Sequence, residues 1–219
     1  MTVVGRVSES KPFILGLTGS IGMGKSAVAG MLRELGVPVF DADAAVHELQ
    51  GPNGACLAPI ERAFPGTTGP LGVDRQKLGA AVFGDPDKLR LLEAIVHPEV
   101  AEMRRAFLAD NAHAPIIVFD IPLLFEKTGQ RGLDAVAVVS APATAQRERV
   151  LSRPGMSAEK FEKILALQVP DAEKRARADF VIDTGLPLAE TRTLVAALVA
   201  HLRENGPWPP LPAASGGPI

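Results

Sequence analysis

Eight residues near the start of the chain carry the clearest chemistry. Gly19-Ser20-Ile21-Gly22-Met23-Gly24-Lys25-Ser26 has the spacing Gly, four residues, Gly-Lys-Ser, which is that of a phosphate-binding loop, or P-loop. Each fixed position has a physical reason. Glycines let the backbone turn tightly enough for successive N–H groups to face phosphate oxygens. A helix opening near Lys25 presents unbonded N–H groups and its positive dipole end to the same anion. Gly22, Met23, Gly24, Lys25, Ser26 and Ala27 are therefore the expected nucleotide cradle. Lys25 is expected to reach the β- and γ-phosphates of ATP, and the Ser26 hydroxyl to ligate Mg²⁺.

Carboxylates and arginines stand at intervals that suit phosphoryl transfer. Asp41 and Asp43 close a short apolar run beyond the first helix. Either can accept a proton from an acceptor hydroxyl or hold it in line. One of them can instead cap the helix that follows, and the residues alone do not say which. Asp120 ends Ile116-Ile117-Val118-Phe119 like a Walker-B acid and is a second candidate Mg²⁺ ligand. Arg147, Arg149 and Arg153 flank a Pro154-Gly155 turn, which suggests a mobile lid that carries guanidinium groups to transferring charge.

These residues need rigid elements to hold them. Phe13–Thr18, Val37–Phe40, Pro115–Phe125, Asp134–Ser140 and Phe180–Asp183 read as short buried strands. Helical spacing separates them at Lys25–Leu35, Thr144–Leu151, Ala158–Gln168 and Leu188–Glu204. Such alternation predicts an α/β chain with a parallel sheet covered by helices on both faces. Between the second and third core strands the chain reads as irregular over Gly51–Gly72. Helices follow, capped by Asp74 and by Asp85-Pro86, with His97-Pro98 expected to break the second. The expected organisation is one kinase domain at 13–205. Its core lies at about 13–43, 113–142 and 178–205, with a helical insertion at about 44–112 and a lid at about 143–170. Residues 1–12 and 206–219 are expected to be flexible termini.

Composition removes several function classes. The net charge is −2 and the pI is about 6.1, which argues against a protein that holds nucleic acid through many phosphates. One cysteine, Cys56, excludes an intrachain disulfide and reads as an inert loop residue. No apolar run has the length of a signal peptide or a membrane span. The expectation is a cytoplasmic protein with small-molecule partners, monomeric or a small homo-oligomer.

The sequence resembles the dephospho-CoA kinase family. The matching segments are GLTGSIGMGKS (16–26), GVPVFDAD (36–43), IVHPEV (95–100), DIPLLFE (120–126), QRERVLSRPGMS (146–157) and ADFVIDTG (178–185). Together they span about residues 13–203. The P-loop is widely shared, whereas the combination of Asp-Ala-Asp, His-Pro, Pro-Leu-Leu-Phe-Glu and the last strand is far more specific. The resemblance implies a P-loop NTPase fold with a lid and a helical subdomain for the coenzyme A skeleton. It implies transfer of the γ-phosphoryl of ATP to the ribose 3′-hydroxyl of dephospho-coenzyme A, the last step of coenzyme A synthesis. It points to Asp43 as base and to Arg149 and Arg153 as lid arginines, with Arg147 close by.

Two positions depart from the family pattern. Thr184 stands where Asn is frequent, and Ala101 where an Arg often follows His-Pro, so Arg104 or Arg105 is expected to supply that charge. The insertion also carries Arg75, Lys77, Lys88 and Arg90 among Leu89, Leu92, Ile95 and Val96, a surface suited to a long ligand with a pyrophosphate and a partly apolar arm. His97 is a further candidate beside the acceptor, and Glu126 is expected to pair with a lid arginine. Two other readings stay open here: a P-loop kinase for a nucleoside or nucleotide, and a nucleotide switch without phosphotransfer.

Overall fold

Phe13–Thr18 forms strand β1, buried along its whole length, as six largely apolar residues leading into a glycine loop require. The computed structural model describes residues 11–130 and 132–205, so most of the two termini expected to be flexible lies outside it. After the loop comes helix α1 (Lys25–Glu34), whose buried residues Val28, Ala29, Met31 and Leu32 share one face. Strand β2 (Val39–Asp41) follows. The remaining core strands are β5 (Ile116–Asp120), β6 (Ala135–Ser140) and β7 (Phe180–Asp183). The sheet order is β2-β5-β1-β6-β7, with β1 parallel to β5 and β6, and β6 parallel to β7.

The chain divides into two compact units, one of residues 1–39 with 111–219 and one of residues 40–110. In the first, Leu15 and Leu17 of β1, Val118 of β5 and Val139 of β6 form one core with Val28 and Leu32 of α1. Val195, Val199 and Leu202 of helix α9 (Leu188–Asn205) complete it. Val136 and Val138, from the other face of β6, pack with Leu124 and Phe125. Both faces of the sheet are therefore covered, as the alternating pattern predicts. The third apolar run is shorter as a strand than expected. It stops at Asp120, and Leu124–Thr128 closes into a π-helical turn beyond Pro122. Helices α6 (Ala143–Leu151), α7 (Ala158–Ala166) and α8 (Asp171–Ala176) lie between β6 and β7.

The second unit is built on capped helices. Asp41 caps α2 (Ala42–Leu49) through Ala44 N–H at 2.9 Å. Asp74 accepts from Gln76 and Lys77 N–H, both at 3.1 Å, at the start of α4 (Arg75–Val82). Leu49, Cys56, Ile60, Phe64, Leu78 and Val96 make its core.

Three expectations are corrected in this unit. His97-Pro98 does not break the helix, because α5 runs unbroken from Pro86 to Asp110. Pro98 costs one hydrogen bond to the carbonyl of Ala94, but both residues are exposed, so water can serve that carbonyl. Val96 on one side of the proline and Val100 and Met103 on the other pack into one core, which holds the helix together. The stretch read as irregular contains α3 (Leu57–Ala63) and a two-stranded turn, β3 (Thr68–Gly69) with β4 (Gly72–Val73). Pro59 sits in the first turn of α3, where N–H groups lack helical partners in any case. Cys56 precedes α3 and is fully buried, so it is a core residue. Burial pushes its thiol pKa up, and Glu99 adds to the effect.

Candidate active site

The phosphate loop is shaped by what its glycines leave out. A Cβ on Gly19 would press into Val139, 2.8 Å from its carbonyl oxygen. Gly22 and Gly24 have φ of 77° and 87°, in the left-handed region that costs a side chain energy. Gly24 is also the N-cap of α1 and brings no side-chain cap. The helix thus presents its first-turn N–H groups to the loop rather than to a capping side chain. From Ala27 onward the N–H groups are used within the chain, since Ala27 and Val28 N–H both donate to Gly24 O, at 3.1 and 3.2 Å.

Lys25 leaves the first turn of α1 and meets Asp120 Oδ1 in an ion pair. Asp120 is brought opposite by strand register, because Leu17 pairs with Asp120 at the carboxyl ends of β1 and β5. Its side chain is 3% exposed, and a carboxylate so buried needs a cation or metal beside it. Ser26, the next residue of the same turn, is exposed.

Thr184 holds the loop from the end of β7. Its hydroxyl has one proton to give, and two carbonyls stand within reach, Met23 at 2.6 Å and Ser140 at 3.0 Å. Its N–H donates to Ser140 O at 2.8 Å. Its side chain lies against the Cβ position that Gly24 leaves empty, at 3.2 Å. The sulfur of Met23 accepts from Ala141 N–H at 3.1 Å. This role for Thr184 was not legible, since the residue reads only as a departure from Asn.

The three arginines occupy different environments. Arg149 Nη2 donates to Thr184 O at 2.7 Å, while Nη1 is buried with no hydrogen-bond partner. Arg147 is bound to α7, with Nη1 on Glu162 at 2.6 Å and its guanidinium 5.9 Å from the Phe161 ring centre. Arg153 is exposed beside the Pro154-Gly155 turn. Glu126 does not pair with an arginine, as expected, but with Lys174 Nζ at 2.7 Å. It also accepts from Val169 N–H at 3.0 Å. Burial pushes the Glu126 carboxyl up, but Lys174 and the Val169 N–H outweigh it and hold its pKa below the ordinary value.

Within the second unit the two aspartates divide the work. Asp41 spends its carboxylate on the N-cap of α2, while Asp43 is exposed in that helix's first turn. Lys77, Lys88, Arg90 and Arg105 each pair with an acid three residues earlier. Arg75 touches His47 Nδ1, and His97 is exposed on α5. A cavity of about 360 Å³ in this unit is lined by Glu48, Glu99 and Glu102, the wrong sign for a phosphate.

The loop's chemistry fits ATP with Mg²⁺. Two groups beside it, Ser20 Oγ and Arg149 Nη1, are buried without partners, as expected of groups that await an anion. Among the described residues no cluster of three or more His, Cys, Asp and Glu forms a metal site. Mg²⁺ does not need one, since it takes one or two protein oxygens and completes its shell with phosphates and water. Ser26 and Asp120 are the candidates. Among the described residues, no helix is long and apolar enough to cross a membrane.

Comparison with known proteins points the same way. The family profile described as Dephospho-CoA kinase matches residues 13–189. A dephospho-CoA kinase of Novosphingobium aromaticivorans is 71% identical over 198 residues, covering 90% of this chain and 98% of that protein. One from Bradyrhizobium diazoefficiens is 53% identical, covering 86% and 95%. Among solved structures, TT1252 from Thermus thermophilus superposes with a TM-score of 0.78 at 37% identity, over 88% of this chain and 99% of that one. A match of this length and identity leaves one assignment: the chain belongs to the dephospho-CoA kinase family.

Proposed function

We propose that this protein transfers the γ-phosphoryl group of ATP to the ribose 3′-hydroxyl of dephospho-coenzyme A, releasing ADP and coenzyme A. The observation that carries the reading is the phosphate loop itself. Its glycine conformations, the Lys25–Asp120 pair at its mouth and the unpartnered Arg149 Nη1 form a cradle for a polyphosphate. Lys25 holds the β- and γ-phosphates, and Ser26 and Asp120 hold Mg²⁺. Held there, the ion would supply positive charge against the developing negative charge of the phosphates.

Asp43 is the base that takes the 3′-hydroxyl proton as the ribose oxygen bonds to the γ-phosphorus and the bond to ADP breaks. Its support is that Asp41, and not Asp43, is consumed by the helix cap. Arg149 stabilises the charge that spreads over the transferring oxygens, and Arg153 joins it from the exposed turn. The acceptor's pyrophosphate and arm are assigned to the helices of residues 40–110. Lys77, Lys88 and Arg105 sit in exposed ion pairs, which are weak and which a ligand phosphate can replace. Arg105 then supplies the charge that Ala101 lacks. Coenzyme A synthesis is cytoplasmic work, and that is the expected location.

The test is ADP release with dephospho-coenzyme A, coupled to mass analysis of the product. One added phosphate on the acceptor, lost together with ADP release in Lys25→Ala, is the expected result. ADP release with the acceptor unmodified would overturn the proposal.

A further inference from the structure

Ile21 stands between Ser20 and the first left-handed glycine of the phosphate loop, and side-chain amides hold both of its backbone polar groups. Its N–H donates to Gln168 Oε1 at 3.0 Å. Its carbonyl accepts from Gln146 Nε2 at 2.8 Å. The two glutamines come from opposite ends of the α6–α7 segment, and each offers the end of its amide that Ile21 needs. Gln146 is 4% exposed. Beside it α6 packs directly on the loop, since a Cβ on Gly22 would lie 2.5 Å from Val150 Cγ2 and 3.0 Å from Gln146 O.

Gln168 is fixed in turn by its neighbour. Val169 N–H donates to Glu126 Oε1 at 3.0 Å, and the same oxygen meets the fully buried Lys174 at 2.7 Å. A buried pair of this kind cannot be broken by removing one partner without large cost. The peptide after Gln168 is therefore pinned, and the amide aimed at Ile21 has little freedom to swing.

We propose that Gln146 and Gln168 are positioning residues for ATP, which clamp Ile21 so that the loop is held in its phosphate-binding shape before nucleotide arrives. The clamp also defines which part of the lid moves. Both ends of the α6–α7 segment are tethered to the loop. Arg149, one turn beyond Gln146 and bonded to Thr184 O, is set in place in advance. Movement is left to the stretch between the tethers that carries Arg153 and Pro154-Gly155. The inference rests on the phosphate-loop reading, and it predicts a dependence of ATP affinity, not acceptor affinity, on two residues that touch no phosphate.

The test uses the near-isosteric variants Gln146→Met and Gln168→Met, their double, and Lys25→Ala as a control. Amide exchange at Ile21, followed by NMR on the nucleotide-free protein, reads the clamp directly. Gln168→Met is expected to speed Ile21 exchange at least about tenfold and to weaken ATP binding about tenfold, because a half-buried donor loses its acceptor. The KM for dephospho-coenzyme A stays within about twofold, and the double variant is close to the worse single, because both amides act on one residue. Unchanged Ile21 exchange, or ATP affinity within about twofold of the parent in both single variants while Lys25→Ala loses it, would overturn the clamp. ATP binding retained in Lys25→Ala would overturn the loop reading and the clamp with it. If the buried Gln146→Met variant fails to fold, the half-buried Gln168→Met decides the matter alone.

Discussion

Replacing Thr184 by Val removes one hydroxyl from beneath the phosphate loop at nearly constant volume. The consequence follows from the hydrogen bonds. Ser140 O keeps the Thr184 N–H at 2.8 Å, so it loses only a second partner. Met23 O loses the hydroxyl at 2.6 Å. Thr184 is 6% exposed, so little water can take the hydroxyl's place. A buried acceptor left unsatisfied costs about 1–3 kcal/mol. For a domain of this size each kcal/mol is about 2–4 °C in Tm, so about 2 kcal/mol lowers Tm by about 4–8 °C. Urea unfolding should show a lower midpoint with an unchanged slope, and the KM for ATP should rise because Met23 is part of the loop. Thr184→Ser keeps the hydroxyl and should recover most of the stability. A Thr184→Val protein within about 0.5 kcal/mol of its parent, with ATP KM unchanged, would refute the claim that this residue holds the loop.

Three further predictions concern charged groups. Lys25→Ala should lower turnover at least about 10²-fold, since one electrostatic contact to transferring charge is worth that much, while circular dichroism shows a folded but less stable protein, because the buried Asp120 loses its Lys25 partner. Asp43→Asn should lower kcat about 10²-fold with ATP affinity retained, whereas Asp41→Asn should act mainly on stability through the lost cap. Equal and mild effects on kcat would remove the base assignment. Glu126→Gln tests the buried pair by pH. Its folded-state pKa lies below the ordinary 4.5, so its contribution is present above that value and is lost as pH falls through the folded pKa. The variant should be less stable near neutrality by about 3–5 kcal/mol, and its gap from the parent should close as acid protonates Glu126. A gap that persists unchanged to pH 3 in urea titrations would contradict the pairing.

The parts that sequence pattern reveals are those governed by local rules. The loop spacing, the apolar strand before it and the helix after it are read directly because each depends on neighbours in the chain. Asp74 and Asp85-Pro86 announce their helices for the same reason. What escapes is decided at long range. Pro98 reads as a breaker, yet core packing on both sides of it carries α5 through. Lys174 lies in a run of charged residues that suggests a solvated face, but it is fully buried against Glu126, 48 residues earlier. Gln146, Gln168 and Thr184 have no distinctive chemistry of their own. Their importance comes from which backbone groups of the loop the fold places beside them.

Acceptor preference decides most directly whether the acceptor is dephospho-coenzyme A. ADP release is measured with dephospho-coenzyme A, adenosine and AMP at matched concentrations, and kcat/KM is compared. Contacts to the pyrophosphate and the arm are remote from the reacting hydroxyl, and they raise the rate only by orienting it toward Asp43. The kcat/KM for dephospho-coenzyme A should be at least about 10²-fold above that for either smaller acceptor, with one phosphate added to the product. Equal or faster turnover of adenosine or AMP would contradict that assignment.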